Sequence, residues 1–92
     1  MKQFKEPLTT TVITTKFVME DKSTIVYAAH HEEEGYWVFT GEEEFLPQDA
    51  IMVTLGKMIE HDVSILGVAD MPIGCYAVRK GKNSPWRVIT PE

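Results

Sequence analysis

Apolar and polar positions alternate through the first half of the chain, and the alternation predicts strands. Residues 9–19 are rich in Thr, Val and Ile, whose branched β-carbons favour extended backbone. At period two, Ile13, Phe17 and Met19 take one face of that strand, and Thr14 and Lys16 take the other. Glu20-Asp21-Lys22-Ser23 reads as a polar turn. A second strand is predicted over residues 24–29, with Ile25 and Tyr27 sharing a face. A turn over 30–35 leads to a third strand at 36–40. Short polar connections make these strands an antiparallel meander of about three.

The period then lengthens. Residues 41–49 form a loop containing Pro47, and Ile51-Met52-Val53 make a short strand or lead straight into a helix. Thr54 is a candidate N-cap, because its hydroxyl can accept from a free first-turn N–H. Leu55, Met58 and Ile59 lie on one helical stripe. Gly56 weakens that helix, and Lys57 stands where a capping-box acid would. Asp62 is a second candidate N-cap, opening a turn through Ile65 and Leu66 that stops before Pro72. Asp70 to Gly74 then forms a rigid turn into a strand over 74–80, with Tyr76 and Val78 on one face. After a turn at 81–85, a last strand over 86–90 directs Trp86 and Val88 inward. The predicted fold is α+β: an antiparallel sheet of about five strands, with a meander, a helical segment and a C-terminal hairpin, and one short broken helix packed on one face. Residues 1–8 read as a flexible N-terminal arm and 9–92 as a single domain.

Composition narrows the function. A 92-residue domain should have a radius of gyration of roughly 12 Å. The single cysteine, Cys75, excludes an internal disulfide and any multi-thiolate zinc site, and fits a reducing compartment. Neither an apolar leader nor a run approaching the ~20 apolar residues of a bilayer span is present, so the expected location is cytoplasmic. The net charge is −5, and the nine Lys and Arg residues are scattered. That pattern disfavours nucleic acid and anionic membranes and leaves a basic protein partner, or solubility alone.

The main concentration of unusual chemistry is an aromatic strand, Tyr36-Trp37-Val38-Phe39, between the acidic runs Glu32-Glu33-Glu34 and Glu42-Glu43-Glu44. A five-residue strand spans roughly 17 Å, so the runs form two patches rather than one paired-carboxylate site. Glu20 and Asp21 fall at the same end of the meander as Glu42, Glu43 and Glu44. These five are the candidate partner-binding residues, with solvated turns as the alternative. Trp37 and Phe39 share one face of the strand and Tyr36 and Val38 the other, so one pair enters the core. His30, His31 and His61 match no helix-borne zinc motif, and adjacent histidines on a strand point to opposite faces. Cys75 has no general base beside it in sequence and reads as a small buried hydrophobe. No phosphate-binding glycine pattern occurs. No catalytic residue, cofactor or metal is assigned.

Two blocks carry a resemblance. Gly35-Tyr-Trp-Val-Phe-Thr-Gly41-Glu42-Glu43 resembles the W-x-F-x-G-x-E block of small bacterial proteins similar to the immunity-protein-33 group of polymorphic toxin systems. The stretch from Asp62-Val-Ser-Ile-Leu66 through Met71-Pro-Ile-Gly74-Cys-Tyr76-Ala-Val-Arg79 is similar to that family's D-P-S-I/L…P-x-G-x-x-Y/F-x-R block, with Val63 in place of the Pro and Tyr76 one position before the block's aromatic. The resemblance implies a bacterial cytoplasmic α+β protein, an immunity protein or a relative with another binding role, and it supplies no catalytic residues to carry over. Trp37, Phe39, Gly41, Glu42, Pro72, Gly74 and Tyr76 carry over as fold markers only. The leading expectation is therefore a non-enzymatic binding module that neutralises a basic toxin. A homo-oligomeric domain, paired through the Thr-rich opening strand as an edge, is the alternative. An enzyme or metal binder using His30, His31, His61 or Cys75 ranks last.

Overall fold

The opening β-branched run does not stay extended to its end, because one of its own hydroxyls turns it. In the computed structural model, which describes residues 2–33 and 35–91, β1 spans Thr11–Thr15. Thr15 then caps a short helix, α1 (Lys16–Met19), its hydroxyl accepting from the Val18 N–H at 3.3 Å. The expected shared face of Ile13, Phe17 and Met19 is thereby lost. The buried residue of α1 is Val18 instead. The remaining elements are β2 (Tyr27–His30), β3 (Trp37–Thr40), a 3-10 turn (Pro47–Asp49), β4 (Ala50–Thr54), α2 (Leu55–His61), a 3-10 helix (Val63–Val68), β5 (Tyr76–Val78) and β6 (Arg87–Ile89). Thr54 and Asp62 both cap as their residue types predict, accepting from the N–H groups of Lys57 and Ser64.

The architecture is α+β, with one six-stranded sheet in the order β4-β1-β3-β2-β5-β6. The meander is corrected in one respect. β2 and β3 form an antiparallel hairpin, but β1 lies beside β3, parallel to it, and not beside β2. The reason is the connection. A tight turn would have kept β1 and β2 adjacent, whereas α1 and residues 20–26 give the chain enough length to pass β3. Ile25 is buried along this path, and the Val26 N–H donates to the Thr40 carbonyl at 3.0 Å. The C-terminal hairpin forms as expected, β5 with β6.

The helical segments cover one face of the sheet. Val12, Ala28, Trp37, Phe39 and Ala77 contribute that face of the core, and Val18, Leu55, Met58, Ile65, Val68, Met71 and Cys75 close over it. The radius of gyration is 12.0 Å. Of the segment 1–8, read from sequence as an arm, Phe4 and Glu6 reach this core. Phe4 packs edge-on against Trp37 with ring centroids 5.0 Å apart, and the Glu6 carboxylate accepts from the Trp37 indole N–H at 2.8 Å. Trp86 turns inward as alternation predicts. Its indole lies where a side chain at Gly67 would be, since a β-carbon there would meet Trp86 Cδ1 at 2.8 Å. Val88 does not follow it. It is 46 % exposed, because β6 is the outermost strand on its side and the covering helices stop at Ala77. Among the described residues no helix is long and apolar enough to cross a membrane.

Candidate protein-binding surface

Strand alternation gives the sheet a second face, whose residues lie outside the cluster packed beneath the helices, although Val38 and Ala29 on it are themselves buried. The register places Met52, Ile13, Val38, Ala29, Tyr76 and Ile89 in one row across all six strands. A neighbouring row holds Thr40, Tyr27, Val78 and Arg87. The short residues Val38 and Ala29 are shielded by their larger neighbours, while Tyr27, Tyr36 and Tyr76 remain partly exposed. The Tyr27 and Tyr76 rings lie 5.9 Å apart. Partial burial, and then the proximity of Tyr76, raise the Tyr27 phenol above its usual value of 10.0. Tyr36 stacks on His31 with ring centroids 4.6 Å apart. Sequence alternation split the aromatic strand into the right pairs, and the structure sets which is inside: Trp37 and Phe39 enter the core and Tyr36 and Val38 take the other face.

The five acidic candidates gather at the end of the sheet where β1 and β3 both terminate. Their side chains are exposed, and the Ser23 hydroxyl donates to Glu43 at 2.6 Å, tying the 20–23 turn to the 41–46 loop. Among the described residues no ion pair engages Glu20, Asp21, Glu42, Glu43 or Glu44. The same end is not uniformly acidic. Lys22 and Lys80 line a hollow of about 340 Å³ together with Ser23, Thr24, Glu42 and Glu43. Lys22 itself holds a left-handed backbone, φ 57°, to turn the chain there. Glu32 and Glu33 lie at the opposite end, beside His31, as the strand length requires. Glu34, the third member of that patch, lies outside the described residues, as do Met1 and Glu92.

The histidines are dispersed. His30 is buried, stacked on Trp37 at 4.0 Å, with Nδ1 2.9 Å from the Met71 carbonyl and Nε2 3.5 Å from Glu6. His31 faces solvent on the other side of the sheet, and His61 ends α2. Among the described residues no three His, Cys, Asp or Glu side chains converge as a metal site would require. Cys75 is buried in the core, its Sγ 3.6 Å from the Thr90 hydroxyl.

The fold markers have distinct physical roles. A β-carbon at Gly41 would lie 3.1 Å from the Thr24 carbonyl, so a larger residue there would push the two loops apart by a few tenths of an ångström. Gly74 adopts φ 92° and donates its N–H to the His30 carbonyl at 2.7 Å. Glu42 and Pro72 are exposed, and Tyr76 lies on the helix-free face. One constellation escaped the reading of single residues. The Arg79 side chain, 1 % exposed, donates to the Ile25 carbonyl, the Ser64 hydroxyl and the Lys82 carbonyl, and pairs with Asp62 at 3.1 Å. Trp86 covers its guanidinium at 4.3 Å. Asp62 and Ser64 meet Arg79 in this network, and nothing in their spacing along the chain signalled it.

No family model, curated protein or solved structure matches the chain.

Proposed function

We propose that this chain is a non-enzymatic protein-binding module of the bacterial cytoplasm, resembling immunity proteins that neutralise a toxin. The observation that carries the reading is the helix-free, tyrosine-bearing sheet face, bounded at one end by five carboxylates that no described ion pair engages. Tyrosines anchor protein interfaces well because they present a large rigid area with one polar tip. Unpaired carboxylates favour a basic partner and raise its rate of encounter, and they do so more strongly at low salt. Such a protein needs no chemistry of its own: covering the partner's active site is enough. The resemblance in the two sequence blocks supports the same class.

The test is affinity capture from the lysate of its own host, at low and moderate salt, with identification by mass spectrometry. The wild-type protein should retain one basic protein and release it as salt rises. Replacing Glu42, Glu43 and Glu44 together by Ala should weaken capture and flatten its salt dependence. Tyr76→Ala should weaken capture while leaving the salt dependence intact. Co-expression with the captured protein should restore growth that the captured protein alone suppresses. Equal capture by the triple variant at low salt would refute the role of the acidic end.

A further inference from the structure

The two outer strands of the sheet are built differently. β6 is three residues long, opens on Arg87, and is flanked by Pro85 and Pro91. Charge and proline on an edge block further pairing. β4 reads Ala-Ile-Met-Val-Thr, with no charge and no proline. Its five consecutive pairs with β1 leave no bulge, and the Met52 side chain at its centre is 73 % exposed. The Thr-rich opening strand, expected to be the edge, lies inside the sheet between β4 and β3.

The direction of each β4 peptide group follows from one hydrogen bond. Leu55 N–H donates to the Thr10 carbonyl at 2.7 Å. Hydrogen-bonded pairs recur at every second residue of an antiparallel ladder. Val53 and Ile51 therefore bond to β1, and Ala50, Met52 and Thr54 point their peptide groups away from the sheet. Two of these outward groups are already engaged. The Ala50 N–H donates to the Pro47 carbonyl, and the carbonyl of Thr54, the N-cap of α2, belongs to the helix. Among the described residues the free set is the Met52 N–H and C=O, the Thr54 N–H and the Ala50 C=O.

That set is its own complement about a two-fold axis through Met52. We propose that β4 pairs antiparallel with β4 of a second copy of this chain, joining two six-stranded sheets into one. Met52 N–H donates to the Met52 carbonyl of the second copy, Thr54 N–H donates to its Ala50 carbonyl, and symmetry repeats both bonds. A foreign strand fits less well. The residue of that strand opposite Ala50 would offer a carbonyl with no donor, and the residue opposite Thr54 an N–H with no acceptor. In a second copy those same two groups are already satisfied internally. The acidic candidates lie on the 20–23 turn and the 41–46 loop, so β4 itself carries no like charge into the contact. The inference does not depend on the proposed toxin partner.

The experiment is sedimentation velocity across a concentration series, paired with amide exchange by NMR. The wild-type protein should form a dimer as concentration rises. The Met52 and Thr54 amides should gain protection with it, while those of Ile51 and Val53 stay unchanged. Met52→Lys, at an exposed position, should leave the thermal melting of the monomer unchanged and abolish the dimer. Met52→Cys should cross-link under mild oxidation. Directly paired residues of this kind lie about 5.5 Å apart at Cα, within the range a disulfide spans. Val88→Cys, on the opposite edge, should cross-link far more slowly. A protein that stays monomeric at high concentration overturns the proposal. So does a dimer that survives Met52→Lys, or equal cross-linking at the two positions. Protection of the Met52 amide only on adding another protein would assign the edge to a foreign strand instead.

Discussion

Removing Asp62 should cost this protein a large part of its stability. Its carboxylate caps the 3-10 helix through the Ser64 N–H and supplies the counter-charge to Arg79, whose side chain is 1 % exposed. In Asp62→Ala the guanidinium keeps its bonds to the carbonyls of Ile25 and Lys82 and to Ser64, but those neutral groups cannot cancel its charge. Orphaning a buried ion in this way costs roughly 3–5 kcal/mol, and the lost cap adds about 1 kcal/mol. Domains of this kind are stable by roughly 5–15 kcal/mol, so the variant should be close to unfolding at growth temperature. Arg79→Met should cost less, roughly 2–3 kcal/mol, because Asp62 is nearer solvent and keeps its contacts with Ser64. The double variant removes both charges. Its cost should fall short of the sum of the single costs by about 2 kcal/mol, the mark of a coupled pair. Urea unfolding followed by tryptophan fluorescence gives all three values, since Trp86 lies directly on the guanidinium. Additive costs within about 0.5 kcal/mol, or a loss below about 1 kcal/mol in Asp62→Ala, would refute the assignment of a coupled buried pair.

Two further outcomes follow from single side chains. Thr14 is fully buried and its hydroxyl has no hydrogen-bond partner among the described residues, so Thr14→Val should raise stability by about 1 kcal/mol in the same urea assay. A loss would mean that the hydroxyl is satisfied. Tyr27 has a raised phenol pKa in the folded state, so the fold favours its neutral form; the stability this contributes is fully present below the unfolded value of 10.0 and is lost as pH rises through the folded value. Ultraviolet titration should show Tyr27 ionising above 10.0, and Tyr76→Phe should lower that step only in part, because burial is the larger cause.

Local chemistry was readable where a residue acts on its near neighbours in the chain. The caps at Thr54 and Asp62, the C-terminal hairpin and the division of the aromatic strand all follow from backbone geometry and short-range hydrogen bonding. The placement of Glu20 and Asp21 at the same end as Glu42, Glu43 and Glu44 was also readable. It depends only on strand directions, and these match those of a meander even though the strand order does not. The cap at Thr15 was missed because a hydroxyl in a β-branched run serves a strand and a helix start equally well.

Sequence alone determined the α+β class, the caps and the alternation that sorts Trp37 from Tyr36. Each rests on a period or a contact a few residues long. Only the tertiary structure decided that β1 lies inside the sheet and β4 at its edge, since a connection long enough to pass one strand is long enough to stop beside either. It also decided that Arg79 meets Asp62 and Ser64 beneath Trp86, and that Glu6 meets Trp37 and His30. Those partners are distant along the chain and are brought together by burial, which no local pattern encodes.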